Sequence, residues 1–311
     1  MNSQSNAMPE SALDSQVIEP AAISPARRMY WSVRRELWES RSIYIAPLAV
    51  AAIFLFGFTI SMFYLPEKMR AALALDPMKQ HELIEQPYAF AALLLMGTTF
   101  IVAVFYCLDA LHGERRDRSI LFWKSMPVSD LTTVLAKASI PIVILPLVTF
   151  AVTFVTQLIM LLLSTAVLLG NGQSVAMLWS HVSLFQMSLM LLYHLLAVHG
   201  LWYAPIFAWL LLVSSWARRA VFLWAALPPL AIGVVEKVAF RTSYLAAMLQ
   251  HRVSGGAESA GAASRAGRML MDRMTPTLGA YLSSPGLWLG LAFAAACLAA
   301  AARLRRNREP I

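Results

Sequence analysis

Six stretches of this chain are too long and too apolar to be hidden inside a water-soluble globule, and no other feature restricts the fold as much. The first reads IYIAPLAVAAIFLFGFTISMFY, residues 43–64, without a single charged side chain. A helix needs about 20 predominantly apolar residues to cross the roughly 30 Å hydrocarbon layer of a bilayer. Further runs at about 88–108, 139–169, 182–213, 221–235 and 286–302 repeat the pattern. Charged residues make up only 14% of the chain and hydrophobic ones 59%, whereas about 25% charged is usual for soluble domains. The sequence therefore predicts an all-α integral membrane protein of about six spans, with lipid as its solvent.

The net charge of +8 is explained by where the cations fall. Lys and Arg crowd the segments 27–42, 109–138, 214–220 and 303–311, while the turn at 170–181 has none. Residues 65–87 set Glu67, Asp76, Glu82 and Glu85 against Lys68, Arg70 and Lys79. By the positive-inside rule both termini are expected in the cytoplasm of a bacterial inner membrane. With the charge so accounted for, nucleic acid is not an expected partner.

Residues 1–26 are polar, broken by Pro9, Pro20 and Pro25, and lack the apolar stretch of a signal peptide, so a disordered cytoplasmic tail is expected. In 27–42, Tyr30, Val33 and Leu37 fall at helical spacing, widened by Trp31 and Trp38 and surrounded by Arg27, Arg28, Arg34, Arg35 and Arg41. This pattern fits an amphipathic helix on the cytoplasmic membrane surface, or the frayed start of the first span. Pro66 is expected to close that span. The long third run predicts tilt or kinks at Pro141 and Pro146, and the fourth contains Pro205. Pro228 and Pro229 break up the short fifth run, which predicts a discontinuous helix whose freed carbonyls need partners on neighbouring helices. Residues 236–285 form an expected outer segment, amphipathic at first and then loose, and 303–311 a basic cytoplasmic tail. Cys107 and Cys297 fall inside spans as small apolar fillers.

A charge deep in a span costs about 2.5–3.5 kcal/mol, and this chain has almost none; Asp109 and Glu236 sit at span ends, where water is near. His194 and His199 lie well inside the fourth run, and a spacing of five places them on different faces of an α-helix. Thr149, Thr153 and Gln157 share one face of the third span, as Gln186, Met190 and His194 do in the fourth. Two readings stand for these stripes: a substrate path, or interhelical hydrogen bonds worth about 0.6 kcal/mol each. HExxH, GxSxG and clustered metal ligands are all missing from the sequence, so catalysis by this chain alone is not expected. It also lacks a GxxxxGK[ST] loop, so ATP, if used, must be bound by another polypeptide.

The loop between the second and third spans reads DALHGERRDRSILFWKSMPVSDLTTVLAK. Glu114 to Arg118 is densely charged, Ile120 to Trp123 is apolar, Pro127 halts the helix, and Ser129 or Asp130 can cap the next one. Such an apolar tip either docks on a partner or rests on lipid. The segment GERRDRSILFWKSMPVSD, residues 113–130, resembles the cytoplasmic loop of permeases of the type-2 ABC export family. A basic helix before the first span, six spans and a large outer segment before the last extend the likeness more weakly.

The resemblance implies a coupling helix that docks in a groove of an ABC ATPase subunit. It places Glu114, Arg115, Arg116, Asp117, Arg118, Lys124, Pro127 and Asp130 at that contact, with Phe122 and Trp123 as anchors. It further implies a homodimer or heterodimer of permeases, with ATP and Mg bound by the ATPase and no cofactor by this chain. The expected function is export of a small or amphipathic substrate. An ion-coupled carrier or channel, or a membrane-embedded enzyme, are the alternatives.

Overall fold

The computed structural model describes residues 24–72, 74–117, 119, 128–253 and 282–307. Secondary structure among the described residues is helical, without strands. Six segments are long and apolar enough to cross a membrane: Ser42–Ala72, Lys79–Arg116, Asp130–Gly170, Leu178–Trp202, Val221–Phe240 and Pro285–Asn307. The protein is a helical, multi-pass membrane protein.

An amphipathic helix, α1 (Pro25–Glu39), precedes the spans; Ser24 accepts the Arg27 amide at its start and Pro25 takes a first-turn position where its missing N–H is no loss. The chain breaks at Ser40 and enters α2 (Ser42–Ser61). Pro66 does not end this span. A 3-10 turn, Met62–Tyr64, leads into α3 (Leu65–Ala72), where Pro66 again occupies the first turn.

The second span, α4 (Pro77–Ala110), starts before the expected Tyr88 and carries Pro87 within it; short α5 (His112–Arg116) follows. The third comprises α6 (Asp130–Ser139), a π turn at Ile140–Ile144 holding Pro141, and α7 (Leu145–Gly170). Proline removes one backbone donor, and the wider turn absorbs the misfit.

After α8 (Ala176–His181), the fourth run is divided rather than continuous. It comprises α9 (Leu184–His194), a π-helical stretch Leu195–Trp202, a bend at Tyr203, and α10 (Ala204–Trp216) with Pro205 in its first turn. A Cβ on Gly200 would lie 2.8 Å from the Ile142 carbonyl oxygen. The two π turns thus meet backbone against backbone, which only glycine permits without a shift.

The fifth run overturns the expectation of a discontinuous helix: α11 (Val221–Val235) passes unbroken through Pro228 and Pro229, then widens into a π turn at Glu236–Phe240. Proline at 229 frees the carbonyl four residues earlier, and Trp209 of α10 donates its indole N–H to that Ala225 oxygen at 3.1 Å. Arg241, in the left-handed region with φ 54°, turns the chain into α12 (Tyr244–Val253). The Glu236 carboxylate accepts from Leu245 N (2.9 Å), Thr242 Oγ1 (3.0 Å) and the Tyr244 amide, so it caps α12.

At the far end of α12, Arg252 donates to the carbonyls of Trp202 (3.2 Å) and Gly286 (2.9 Å) and stacks on the Trp202 ring. The Trp202 oxygen is available because the helix bends there. The last span, α13 (Pro285–Asn307), continues past the expected end at residue 302 and takes in Arg303, Arg305 and Arg306.

The centre of the bundle is α10, which packs most extensively on α13 and also on α4; α2 and α7 pack on α4 and on each other. Phe207, Leu211 and Val213 of α10 join Ile43, Cys107, Leu145 and Leu287 in one buried cluster. Cys107 and Cys297 are both buried and free, as expected of apolar fillers. By contrast, α11 presents almost its whole circumference outward, Phe222, Leu230 and Val234 included.

Candidate functional site

At the end of the bundle where α2, α6 and α11 begin and α5, α10 and α13 finish, six charged side chains converge on one another. Glu36, Glu114, Lys137 and Arg305 are each almost fully buried, although they come from α1, α5, α6 and α13. Lys137 Nζ lies 3.0 Å from Glu36 and 3.2 Å from Glu114. Glu114 also receives Arg35 and Arg305, each at 3.1 Å. Arg305 reaches Asp130 with its other terminal nitrogen. Glu36 is completed by Arg35 at 2.5 Å and by the Tyr106 hydroxyl, which donates to it at 2.9 Å.

Three carboxylates, Glu36, Glu114 and Asp130, thus face three cations, Arg35, Lys137 and Arg305. Taking ions from water costs several kcal/mol each, so such a set persists only when opposite charges meet at close range. Its physical effect is registration, since each charge is satisfied only when four chain segments sit together. The local sequence explains the placement. Glu36 shares the inward face of α1 with Val33, Ser129 rather than Asp130 caps α6 by accepting the Thr132 amide, and the extension of α13 carries Arg305 to the cluster.

Burial alone pushes the Glu36 carboxyl up, but Lys137 and Arg35 outweigh it and hold it below its ordinary value of 4.5. Glu39, half exposed, is pushed the other way by burial and by Glu36. A depressed carboxylate contributes stability that is complete above its unfolded value and is lost as pH falls through its folded one. Thermal unfolding in detergent should therefore show a fall in midpoint below about pH 4.5 that Glu36→Gln lacks.

The cluster accounts for part of the loop anticipated from sequence. Glu114 and Arg115 are buried and engaged within the chain rather than turned outward. Arg115 donates to the carbonyls of Ser215 (2.8 Å) and Ala217 (3.3 Å) at the C-terminal end of α10, where carbonyls have no intrahelical donor. Arg116 and Asp117 are exposed and paired with each other at 3.0 Å. Arg118, Phe122, Trp123, Lys124 and Pro127 lie outside the described residues, which after Ser119 resume at Val128. Both flanks of that tip, α5 and α6, are therefore fixed to the cluster.

The polar stripe of α7 is engaged by α4, although α9 packs on α7 as well. Thr149, Thr153 and Gln157 are buried, with Thr149 hydrogen-bonded to Thr99 and the Gln157 amide donating to the Tyr88 carbonyl at 3.2 Å. Gln186 is exposed, while half-buried His194 comes seven residues after Met187, on the side of α9 that carries the buried Met187 and Leu191. The expected separation of His194 and His199 also fails, because residues 195–202 are π-helical and a spacing of five there returns to nearly the same face. Their rings lie 5.8 Å apart. Among the described residues no group of three or more His, Cys, Asp or Glu is placed to hold a metal.

Glu36, Lys137, Tyr106 and Arg305 escaped the sequence reading as site residues. The available signal was an acid on the apolar face of α1, which demands a buried partner. No family model, no curated protein and no solved structure matches this chain.

Proposed function

We propose that this chain is the permease subunit of a type-2 ABC exporter. It sits in the bacterial inner membrane with both termini and the charged end in the cytoplasm. The single observation that carries the reading is the arrangement around residues 118–127. Their two flanking helices are joined through Glu114, Lys137, Asp130 and Arg305 to α1 and to the last span. A push on the tip then moves the helix before the first span, the end of the second, the start of the third and the end of the sixth as one body.

On this reading Phe122 and Trp123 anchor in an ATPase subunit, Arg116, Asp117, Arg118 and Lys124 make its charged rim, and Pro127 ends the docking helix. Glu114, Arg115 and Asp130 pass the force inward. ATP and Mg are bound by that partner, and a second permease, identical or not, completes the transporter. The orientation agrees with the charge distribution, since Arg27, Arg34, Arg116, Arg218 and Arg306 all belong to the end assigned to the cytoplasm.

Affinity capture of the chain from native membranes tests the proposal. An ABC ATPase should copurify, and ATP hydrolysis should require the joint complex. The His194–His199 pair is the observation that favours a proton-coupled carrier instead. That reading predicts transport in proteoliposomes that follows a proton gradient without nucleotide, and such transport by the purified chain would overturn the exporter assignment.

A further inference from the structure

The face of α1 turned away from the charge cluster has a composition of its own. Arg27, Trp31, Arg34 and Trp38 follow one another at spacings of four, three and four, which puts them in a single stripe along the helix. Arg41 follows just past its end. Arg34 is held between two rings, its guanidinium carbon 5.0 Å from the Trp31 centroid and 4.8 Å from that of Trp38. Trp31 and Trp38 are nonetheless 49% and 68% exposed.

The acids of the helix point elsewhere. Glu36 belongs to the cluster and Glu39 lies 3.7 Å from Arg35. Arg27, Arg28, Arg34 and Arg41 form no ion pair with a carboxylate among the described residues. Four cations thus surround a pair of exposed indoles on a helix separated from the first span only by Ser40 and Arg41.

We propose that the Trp31–Arg34–Trp38 ladder, with Arg27 and Arg41 at the ends of its stripe, binds the phosphate of an anionic phospholipid. Rings on both sides of a guanidinium limit its rotation and leave its N–H edge facing outward, and that edge matches two phosphate oxygens at once. Indoles at the rim suit the interface between headgroups and acyl chains, where an apolar body and a polar edge are both satisfied. Surplus positive charge without a neighbouring acid selects anionic over zwitterionic headgroups. The closeness of the stripe to α2 commits it to lipid rather than to a soluble anion. This inference rests on the spans lying in a bilayer and not on the ATPase partner.

The test uses the full chain in a neutral detergent, titrated with short-chain phosphatidylglycerol, phosphatidylcholine or inorganic phosphate and followed by thermal unfolding and by native mass spectrometry of retained lipid. Phosphatidylglycerol should raise the unfolding midpoint saturably, while phosphatidylcholine and inorganic phosphate do not. Arg34→Gln should weaken phosphatidylglycerol binding at least about fivefold, and Arg27→Gln with Arg41→Gln should weaken it further. Arg34→Lys, which keeps the charge but loses the fork, should fall between wild type and Arg34→Gln. Arg34 takes no part in the cluster, so the unfolding midpoint of Arg34→Gln without lipid should equal that of wild type and exclude misfolding.

Equal phosphatidylglycerol binding by wild type and Arg34→Gln would overturn the proposal. So would an equal response to phosphatidylcholine or to inorganic phosphate. Cross-linking of two chains through cysteines placed at Trp31, unaffected by phosphatidylglycerol, would assign the face to a second copy and equally overturn it.

Discussion

Replacing Lys137 by Met is expected to lower the stability of the folded bundle by about 3–5 kcal/mol, the range for removing one partner from a buried charge set. The ammonium is shared by Glu36 and Glu114, at 3.0 and 3.2 Å. Without it the two buried carboxylates repel each other and keep only Arg35 in common. The size of the side chain is nearly preserved in Met, so the loss reports charge rather than volume. Glu36→Gln added to Lys137→Met should restore part of the loss, because the pair removed together leaves one fewer uncompensated ion. Denaturant unfolding in detergent, monitored by tryptophan fluorescence, measures both. A Lys137→Met variant within about 1 kcal/mol of wild type, the range of an exposed pair, would mean that the cluster does not bind the four segments together.

Phe122→Asp combined with Trp123→Asp should abolish copurification of the proposed ATPase partner while leaving the unfolding midpoint of the bundle unchanged. Aromatic anchors in a desolvated pocket commonly contribute at least about 2 kcal/mol, close to thirtyfold in affinity, and a carboxylate placed there must also be desolvated. The two residues lie between exposed Asp117, which ends α5, and Val128, two residues before α6, and both helices are tied to the cluster. Substitutions at the tip therefore separate docking from folding in a way that Glu114 or Asp130 cannot. Glu114→Gln disturbs the cluster itself, so its loss of ATPase would be ambiguous. Unchanged capture of the ATPase by the double variant would remove the docking role from the loop.

The spans were legible because a bilayer demands continuous apolar length, a property of consecutive residues. Proline was legible as a perturbation but not in its outcome. Whether Pro228 and Pro229 break a helix depends on a donor to the freed Ala225 carbonyl, and that donor, Trp209, lies on another helix. The two histidines illustrate the same limit at short range, since the spacing argument assumed α periodicity where the chain is π-helical. The charge cluster was the least visible feature. Its members lie 70 residues apart for Glu36 and Tyr106 and 191 apart for Glu114 and Arg305, and single basic residues near span ends are explained equally well by charge bias alone. The polar stripe of α7 does lie on one buried face, and the partners of Thr149 and Gln157, Thr99 and the Tyr88 carbonyl, are on α4, which no spacing within α7 could name.

The proposed export role requires residues 118–127 to face the cytoplasm, and the sidedness of a cysteine at Ser125 measures that directly. Cys107 and Cys297 are buried, so background labelling by a membrane-impermeant maleimide is low. Ser125→Cys should remain unlabelled in intact cells and be fully labelled in inverted membrane vesicles. Labelling from the outer face of intact cells would contradict it.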